Sequence, residues 1–280
     1  MTVCIGALCA DPEGNPSKAA VVASDRMVTL GGLIEFEHEI PKVSSVADRI
    51  VILIAGDALR GARLVRQIAS AIPVSSLSMD EVAQMAATAY VEHRRQQIEV
   101  EVFAPRGITI SQYYGGLQMQ MLPQIVGALD NHLATYNYGT DFLIAGVDDS
   151  GAHLYHLTHP GGIAQNFQTI GFTAIGTGSL HAVQSLIGFG HTPARGIDET
   201  IFSVYASKRR AEVAPGVGRD TDLMVVDQAG RRTLSNTALD QLEALYQEYQ
   251  RPVSDELKKK VAKLNLVAEG VGGSTHGQAT

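Results

Sequence analysis

A threonine stands directly behind Met1 in the opening stretch MTVCIGALC, and its hydroxyl is the first group in the chain with nucleophilic chemistry to offer. With Met1 removed, Thr2 would carry both a nucleophile and a base. Its free α-amine, whose unperturbed pKa is about 8, takes up a proton close to neutral pH. The hydroxyl then attacks a carbonyl to give an acyl-enzyme, which water hydrolyses. The side chain is small enough for the preceding methionine to be removed, so no long propeptide need be cut. The competing reading of Thr2 is an ordinary first residue of a buried apolar strand. The other reactive types offer less. Cys4 and Cys9 are the two cysteines, and their odd separation within one strand points them to opposite faces, so they are expected neither to pair nor to bind metal. The nine histidines, His153, His156 and His159 among them, show no ligand spacing such as HExxH and read as surface or strand residues. Lys208, Arg209 and Arg210 form a short basic run that reads as a solvated helix end.

These groups need a scaffold, and the composition supplies one. A chain of 280 residues, 45% hydrophobic and 18% charged, can bury a full core. A formal charge of −7 without a basic stripe argues against nucleic acid as a partner. No apolar run reaches the roughly 18 to 20 residues that cross a bilayer. The first segment lacks a basic leader and is interrupted by Asp11, Pro12 and Glu13, so neither a signal peptide nor a membrane anchor is expected, and the expected compartment is the cytoplasm.

The elements follow from pattern. TVCIGALCA and AAVVASD read as a hairpin around DPEGNPSK. The alternating LIEFEHEI, then PKVSSVADR, and the continuously apolar IVILIAG follow, the last reading as a strand covered on both faces. From Asp57 the period becomes helical, with Leu59, Ala62, Leu64, Val65, Ile68, Ala69 and Ile72 on one face and an end at Pro73. A second helix starts in a capping box, Ser78 with Glu81, and is expected to run to about Val100. Residues 103–138 are the least readable, with a helix expected around LPQIVGALDNHLATY. Strands return at DFLIAGVD, AHLYHLT, GIAQNF and FTAIG, then two helices at SLHAVQSLIGFG and DETIFSVYASKRRAE, then strands at TDLMVVD and RRTLSN. Helices following strands as blocks, twice over, suit packed layers rather than βαβ alternation. The expected organisation is one domain over 1–235 with an insertion at about 103–138, a C-terminal helical extension over 236–268 broken at Pro252, and a tail over 269–280 that is disordered by composition.

The chain resembles, over roughly residues 2–228, the β-type subunits of the proteasome group of N-terminal nucleophile hydrolases, bacterial peptidase rings included. The resemblance rests on Thr2 at the head of the first strand, on ASDRMVT with Asp25 and Thr29, on Lys42 in PKV with Gly56 in LIAGDA 14 residues later, on DFLIAGVDDSGAHLYHLTHPGG, and on AIGTGSLHAVQSL. It implies a four-layer αββα sandwich, two antiparallel sheets between helix layers, which agrees with the layer order read from the pattern. It further implies a threonine peptidase that needs no cofactor or metal and cuts peptides or unfolded proteins inside a homo-oligomeric ring, with or without an unfolding ATPase.

Residue by residue, the resemblance makes Thr2 the nucleophile. Lys42 is the cation that lowers the hydroxyl's pKa or relays its proton, and Asp25 is that lysine's partner. A buried lysine without a carboxylate would lose its charge, which is a physical reason for the pair. A turn-capping aspartate and a surface lysine would explain the same two residues. Gly56 would offer its N–H to the oxyanion, or simply make a strand-to-helix turn. Two positions depart from the family pattern. Thr177 stands between Gly176 and Gly178 where serine is usual, and EVAPG brings Glu212 and Pro215 where an aspartate and a serine are usual. Glu212 can still accept a hydrogen bond, whereas Pro215 has no hydroxyl to give. Val28, Thr29, Ile40, Ser44, Ile54 and Ala58 are the candidate side-chain pocket, mostly apolar, unless they are core. A non-peptidase amidohydrolase of the same class and a catalytically silent scaffold subunit are the alternatives.

Overall fold

The structure is a computed structural model that describes residues 2–30, 34–38, 41–72 and 78–250. The expected helix stop at Pro73, the break at Pro252, the remainder of the C-terminal extension and the 269–280 tail lie outside the described residues. The chain divides into two compact units, Met1–Leu242 and Glu243–Thr280. The fold is mixed α/β, with antiparallel sheets.

The opening hairpin is β1 (Cys4–Cys9) and β2 (Ala19–Asp25), paired from Cys4 opposite Ser24 to Cys9 opposite Ala19. Its turn is pinned by the Asp11 carboxylate, which accepts the Glu13 and Asn15 amides. β3 (Met27–Leu30) and β4 (Ile34–Glu37) form a separate two-stranded ribbon. β5 (Val43–Ala47) and β6 (Ile50–Gly56) lead into α1 (Ala58–Ala71) and α2 (Met79–Ile98). After the insertion come β7 (Thr140–Asp148), β8 (Gly151–Leu157), β9 (Gln165–Asn166) and β10 (Phe172–Ile175). α5 (Ser179–Gly188), α6 (Ile197–Ala211), β11 (Thr221–Asp227), β12 (Gly230–Thr233) and α7 (Asn236–Tyr249) complete the described chain.

One five-stranded sheet has the order β10-β1-β2-β11-β12 and the other β5-β6-β7-β8-β9. Cys4, Leu8, Ala20 and Val22 from the first meet Val51, Leu53, Leu143, Ala145 and Leu154 from the second in a shared core. Both faces of β6 are covered, as its unbroken apolar run predicts. Val51, Leu53 and Ala55 face the other sheet, while Ile50, Ile52 and Ile54 meet Leu64, Ile68, Val82 and Ala86 of α1 and α2. α5 and α6 pack on β10, β1 and β2. The cysteines do point apart. Cys4 lies in the core between the sheets and Cys9 faces Thr200 of α6.

Asp57 caps α1 by accepting the Leu59 and Arg60 amides, and Ser78 with Glu81 forms the capping box that opens α2. The face read for α1 needs one correction. Leu59 is 86% exposed, and Gly61 takes the buried position because α1 lies so close to Ile54 that only a hydrogen fits there. A π-helical stretch at Glu99–Phe103 leads into the insertion, whose short α3 (Ile110–Tyr114) and α4 (Pro123–Thr135) gather around a satellite core of Val102, Phe103, Tyr113 and Leu129. Among the described residues no helix is long and apolar enough to cross a membrane.

Candidate active site

Thr2, Asp25 and Lys42 converge at one end of the two sheets. β1 and β2 are in register there, and the Asp25 amide donates to the Val3 carbonyl at 3.2 Å, which carries the Asp25 side chain alongside Thr2. Lys42 comes from the opposite sheet, one residue before β5. The Thr2 hydroxyl donates to Asp25 Oδ1, and Lys42 Nζ donates both to Thr2 Oγ1 and, at 2.9 Å, to the same Asp25 oxygen. The Asp25 side chain is fully buried and that of Lys42 is 16% exposed, so the pair is only weakly screened by solvent.

Backbone amides complete the carboxylate. Val3 N donates to Oδ1 at 2.9 Å, and Met27 N and Gly218 N donate to Oδ2 at 3.1 and 3.0 Å. Five donors on one buried carboxylate fix it in place. A lysine held against the threonine oxygen can polarise the O–H bond and would stabilise an alkoxide at that position.

Gly56 ends β6 at the same end of the molecule. Val43 pairs with Leu53, which sets Lys42 opposite Ile54, and the Cys4 thiol donates to the Ile54 carbonyl at 3.5 Å. Gly56 is two residues further along that strand, about 7 Å at the rise of an extended chain. It is exposed with φ +98°, and a Cβ there would stand 2.2 Å from the Gly139 carbonyl oxygen. Only glycine meets both conditions. The Gly176–Gly178 turn is pressed onto Thr2 itself. The Gly178 amide donates to the Thr2 carbonyl at 3.2 Å, and a Cβ on Gly176, whose φ is +90°, would lie 2.4 Å from that same oxygen. The turn therefore positions Thr2 through its backbone. The Thr177 side chain is exposed and, among the described residues, makes no hydrogen bond with Thr2, Asp25 or Lys42.

Glu212 does not reach Thr2. It pairs with Lys208 at 2.7 Å and with Arg209 at 2.8 Å. This also corrects the reading of the basic run as a solvated end, because the Lys208 side chain is completely buried. Pro215 is exposed.

Of the expected pocket residues, Val28 and Ser44 are half-buried and Ala58 is exposed at the start of α1. Ile54 packs into the core beneath α1. Thr29 lies in β3, and Ile40 lies outside the described residues. Burial pushes the Cys4 thiol up to about 12, so the sulfur beside Thr2 is no competing nucleophile. Among the described residues, no three His, Cys, Asp or Glu side chains are grouped to hold a metal ion.

Sequence reasoning missed Lys208, Gly218 and Glu37. Lys208 was accessible to it, because Thr200, Val204, Lys208 and Ala211 recur at helical spacing on the buried face of α6. Gly218 acts through a backbone amide and left no side-chain signal. Compared with known proteins, the chain matches no family model and no curated sequence.

Proposed function

We propose that the chain is an N-terminal threonine hydrolase, a peptidase that acts after Met1 is removed. The observation that carries this reading is the shared contact of the Thr2 hydroxyl with both the Asp25 carboxylate and the Lys42 ammonium in a buried setting. A strand-edge threonine with no chemical role needs neither partner, and an aspartate capping a turn does not need a lysine from the opposite sheet. In this reading the α-amine, freed by loss of Met1, takes the hydroxyl proton, Lys42 stabilises the developing alkoxide, and Asp25 holds Lys42 against the hydroxyl. The Gly56 amide, on the exposed end of β6, receives the oxyanion.

The fold supports the same assignment, with α1 and α2 on one sheet, α5 and α6 on the other, and a shared core between the sheets. We read this as the four-layer αββα sandwich of N-terminal nucleophile hydrolases. Exposed apolar side chains on the insertion, including Tyr114, Met119 and Leu122, and Leu180 and Ile187 on α5 favour self-association into a ring.

The test is intact-mass analysis of the full chain with and without a peptide epoxyketone, a probe that reacts with both the hydroxyl and the α-amine of an N-terminal threonine. The expected result is a chain that has lost Met1 and gains one adduct, and no adduct with Thr2→Ala. Retention of Met1 in every preparation, or an adduct that survives Thr2→Ala, refutes the proposal. A small-amide substrate turned over in place of peptides reassigns the reaction within the class, and light scattering reads the assembly.

A further inference from the structure

We propose that Lys208 is a positioning residue of the Thr2 site, acting on Asp25 through the backbone of residues 218–220. The inference rests on the threonine-hydrolase reading above. Lys208 lies on α6 with its side chain completely buried. Its Nζ donates to Glu212 Oε1 at 2.7 Å, to the Gly218 carbonyl at 2.9 Å and to the Arg219 carbonyl at 2.5 Å. Three acceptors require three N–H donors, which an ammonium has and a neutral amine lacks. Burial holds the pKa of this lysine below its ordinary value, and the Glu212 and Asp25 carboxylates oppose that shift.

The amides of the same short loop are also committed to ionised side chains. Gly218 N donates to Asp25 Oδ2 at 3.0 Å, Asp220 N donates to Glu37 Oε1 at 3.0 Å, and Arg219 N donates to that same Glu37 oxygen. Lys208 thus pulls on the carbonyl side of a loop whose amide side grips Asp25 and the end of β4. With Oδ2 fixed by Gly218 and Met27, Oδ1 is left facing Thr2 and Lys42. A loop of this composition has no packed side chains to define it, since Gly218 contributes none and Arg219 and Asp220 are exposed. Its conformation is set by the charges on either side and by the Thr221 hydroxyl, which donates to the Arg219 carbonyl at 3.2 Å. Lys208 touches no reacting atom. Its contribution is the aim of the carboxylate.

The experiment compares wild type with Lys208→Met, which fills the same space without charge, and with Glu37→Ala, which releases the loop from its exposed side. Two quantities are measured on each full chain. The first is modification of Thr2 by a peptide epoxyketone, resolved into a maximal rate constant and a half-saturating concentration. The second is hydrogen exchange of the Gly218 amide. For Lys208→Met the maximal rate constant is expected to fall on the order of 100-fold, the cost of about 1 Å of misplacement, with the half-saturating concentration unchanged. The Gly218 amide loses its protection. Glu37→Ala gives a smaller fall of about 10-fold in the same direction. A folded Lys208→Met protein that keeps the wild-type rate constant, or keeps Gly218 protected, overturns the proposal. If Lys208→Met does not fold, Glu37→Ala at the wild-type rate overturns it. If wild type forms no adduct at Thr2, the hydrolase reading has failed, and Gly218 exchange in Lys208→Met alone then decides whether Lys208 holds this loop on Asp25.

Discussion

Replacing Asp25 with asparagine separates what the carboxylate does for the fold from what it does for Thr2. Five donors converge on the two oxygens of Asp25, three on Oδ1 and two on Oδ2. An asparagine has one oxygen and an NH2 group, so in either orientation at least two buried N–H groups face another donor. Stranding buried donors costs about 1 to 3 kcal/mol each, and removing one member of a buried ion pair costs about 3 to 5 kcal/mol. The two ranges describe the same lost contacts and do not add, and Lys42 retains 16% exposure and recovers part of its hydration, which places the cost near the lower end of the ion-pair range, at about 3 kcal/mol. For a unit of this size that corresponds to a fall in Tm of about 6 to 12 °C. Lys42→Met is the necessary partner experiment. It strands no donor and leaves four of the five on Asp25, so its cost is that of one charge-assisted contact, about 1.5 kcal/mol, while it removes the cation from Thr2 as completely as any substitution can. Thermal unfolding followed by circular dichroism reads stability, and the rate of adduct formation with a peptide epoxyketone reads the site. Both variants should lose labelling, and only Asp25→Asn should lose much stability. Equal stability losses would refute the five-donor account of the carboxylate, and wild-type labelling of either variant would refute its coupling to Thr2.

Gly176→Ala should place a methyl group 2.4 Å from the Thr2 carbonyl oxygen and 2.8 Å from its Cγ2, displacing that residue. Labelling should fall on the order of 100-fold, and an unaffected rate would show that the turn does not position Thr2. Cys4 and Cys9 are each pushed from 9.0 up to about 12, chiefly by burial, so neither should react with a thiol reagent at pH 8 until the chain unfolds. The same shifts set an alkaline limit. Because the folded pKa values are raised, this stabilisation is complete below about pH 9 and is lost progressively toward pH 12, and thermal unfolding across that window checks it. At the acid end, burial holds His191 below its ordinary value while its Nε2 donates to the Leu8 carbonyl at 3.0 Å. Its folded pKa is depressed, so its contribution is present above pH 6.5 and lost as the pH falls below it. His191→Gln, which keeps a donor toward Leu8, should flatten that part of the stability profile, and an unchanged slope would remove His191 as its cause.

The scaffold around the site was legible where a local rule decides the structure. The β1–β2 hairpin, the Asp57 and Ser78 caps and the doubly covered β6 all follow from composition and period, because strands and helix ends are chosen by neighbours in the chain. Legibility failed where a distant contact decides. Leu59 continues an apolar period yet is exposed, because the close approach of α1 to Ile54 selects Gly61 for the buried side. Within residues 103–138 the helix α4 was readable, whereas the short helical pieces before it gave no clear period because each touches the satellite core at only a few positions. Lys208 looked like one of three similar cations, and only its place on the buried face of α6 distinguishes it from Arg209 and Arg210.

The same contrast orders the site. Thr2, Asp25 and Lys42 are three side chains from three strand ends, and side chains are what a sequence displays. What surrounds them is mainly backbone: the amides of Val3, Met27 and Gly218 on the carboxylate, the amide of Gly178 on the Thr2 carbonyl, and Gly139 against Gly56. Backbone groups are the same in every residue, so their roles depend on the fold that aims them and on the few side chains that hold them. Glu212 illustrates the consequence. It stands where a direct ligand of the threonine is expected, and it contributes at one remove, by keeping an ammonium on Lys208 that in turn holds the loop at Gly218. A substitution at Glu212 should therefore be read at Gly218 before it is read at Thr2, with the loss of amide protection preceding any loss of labelling as the charge on Lys208 is withdrawn.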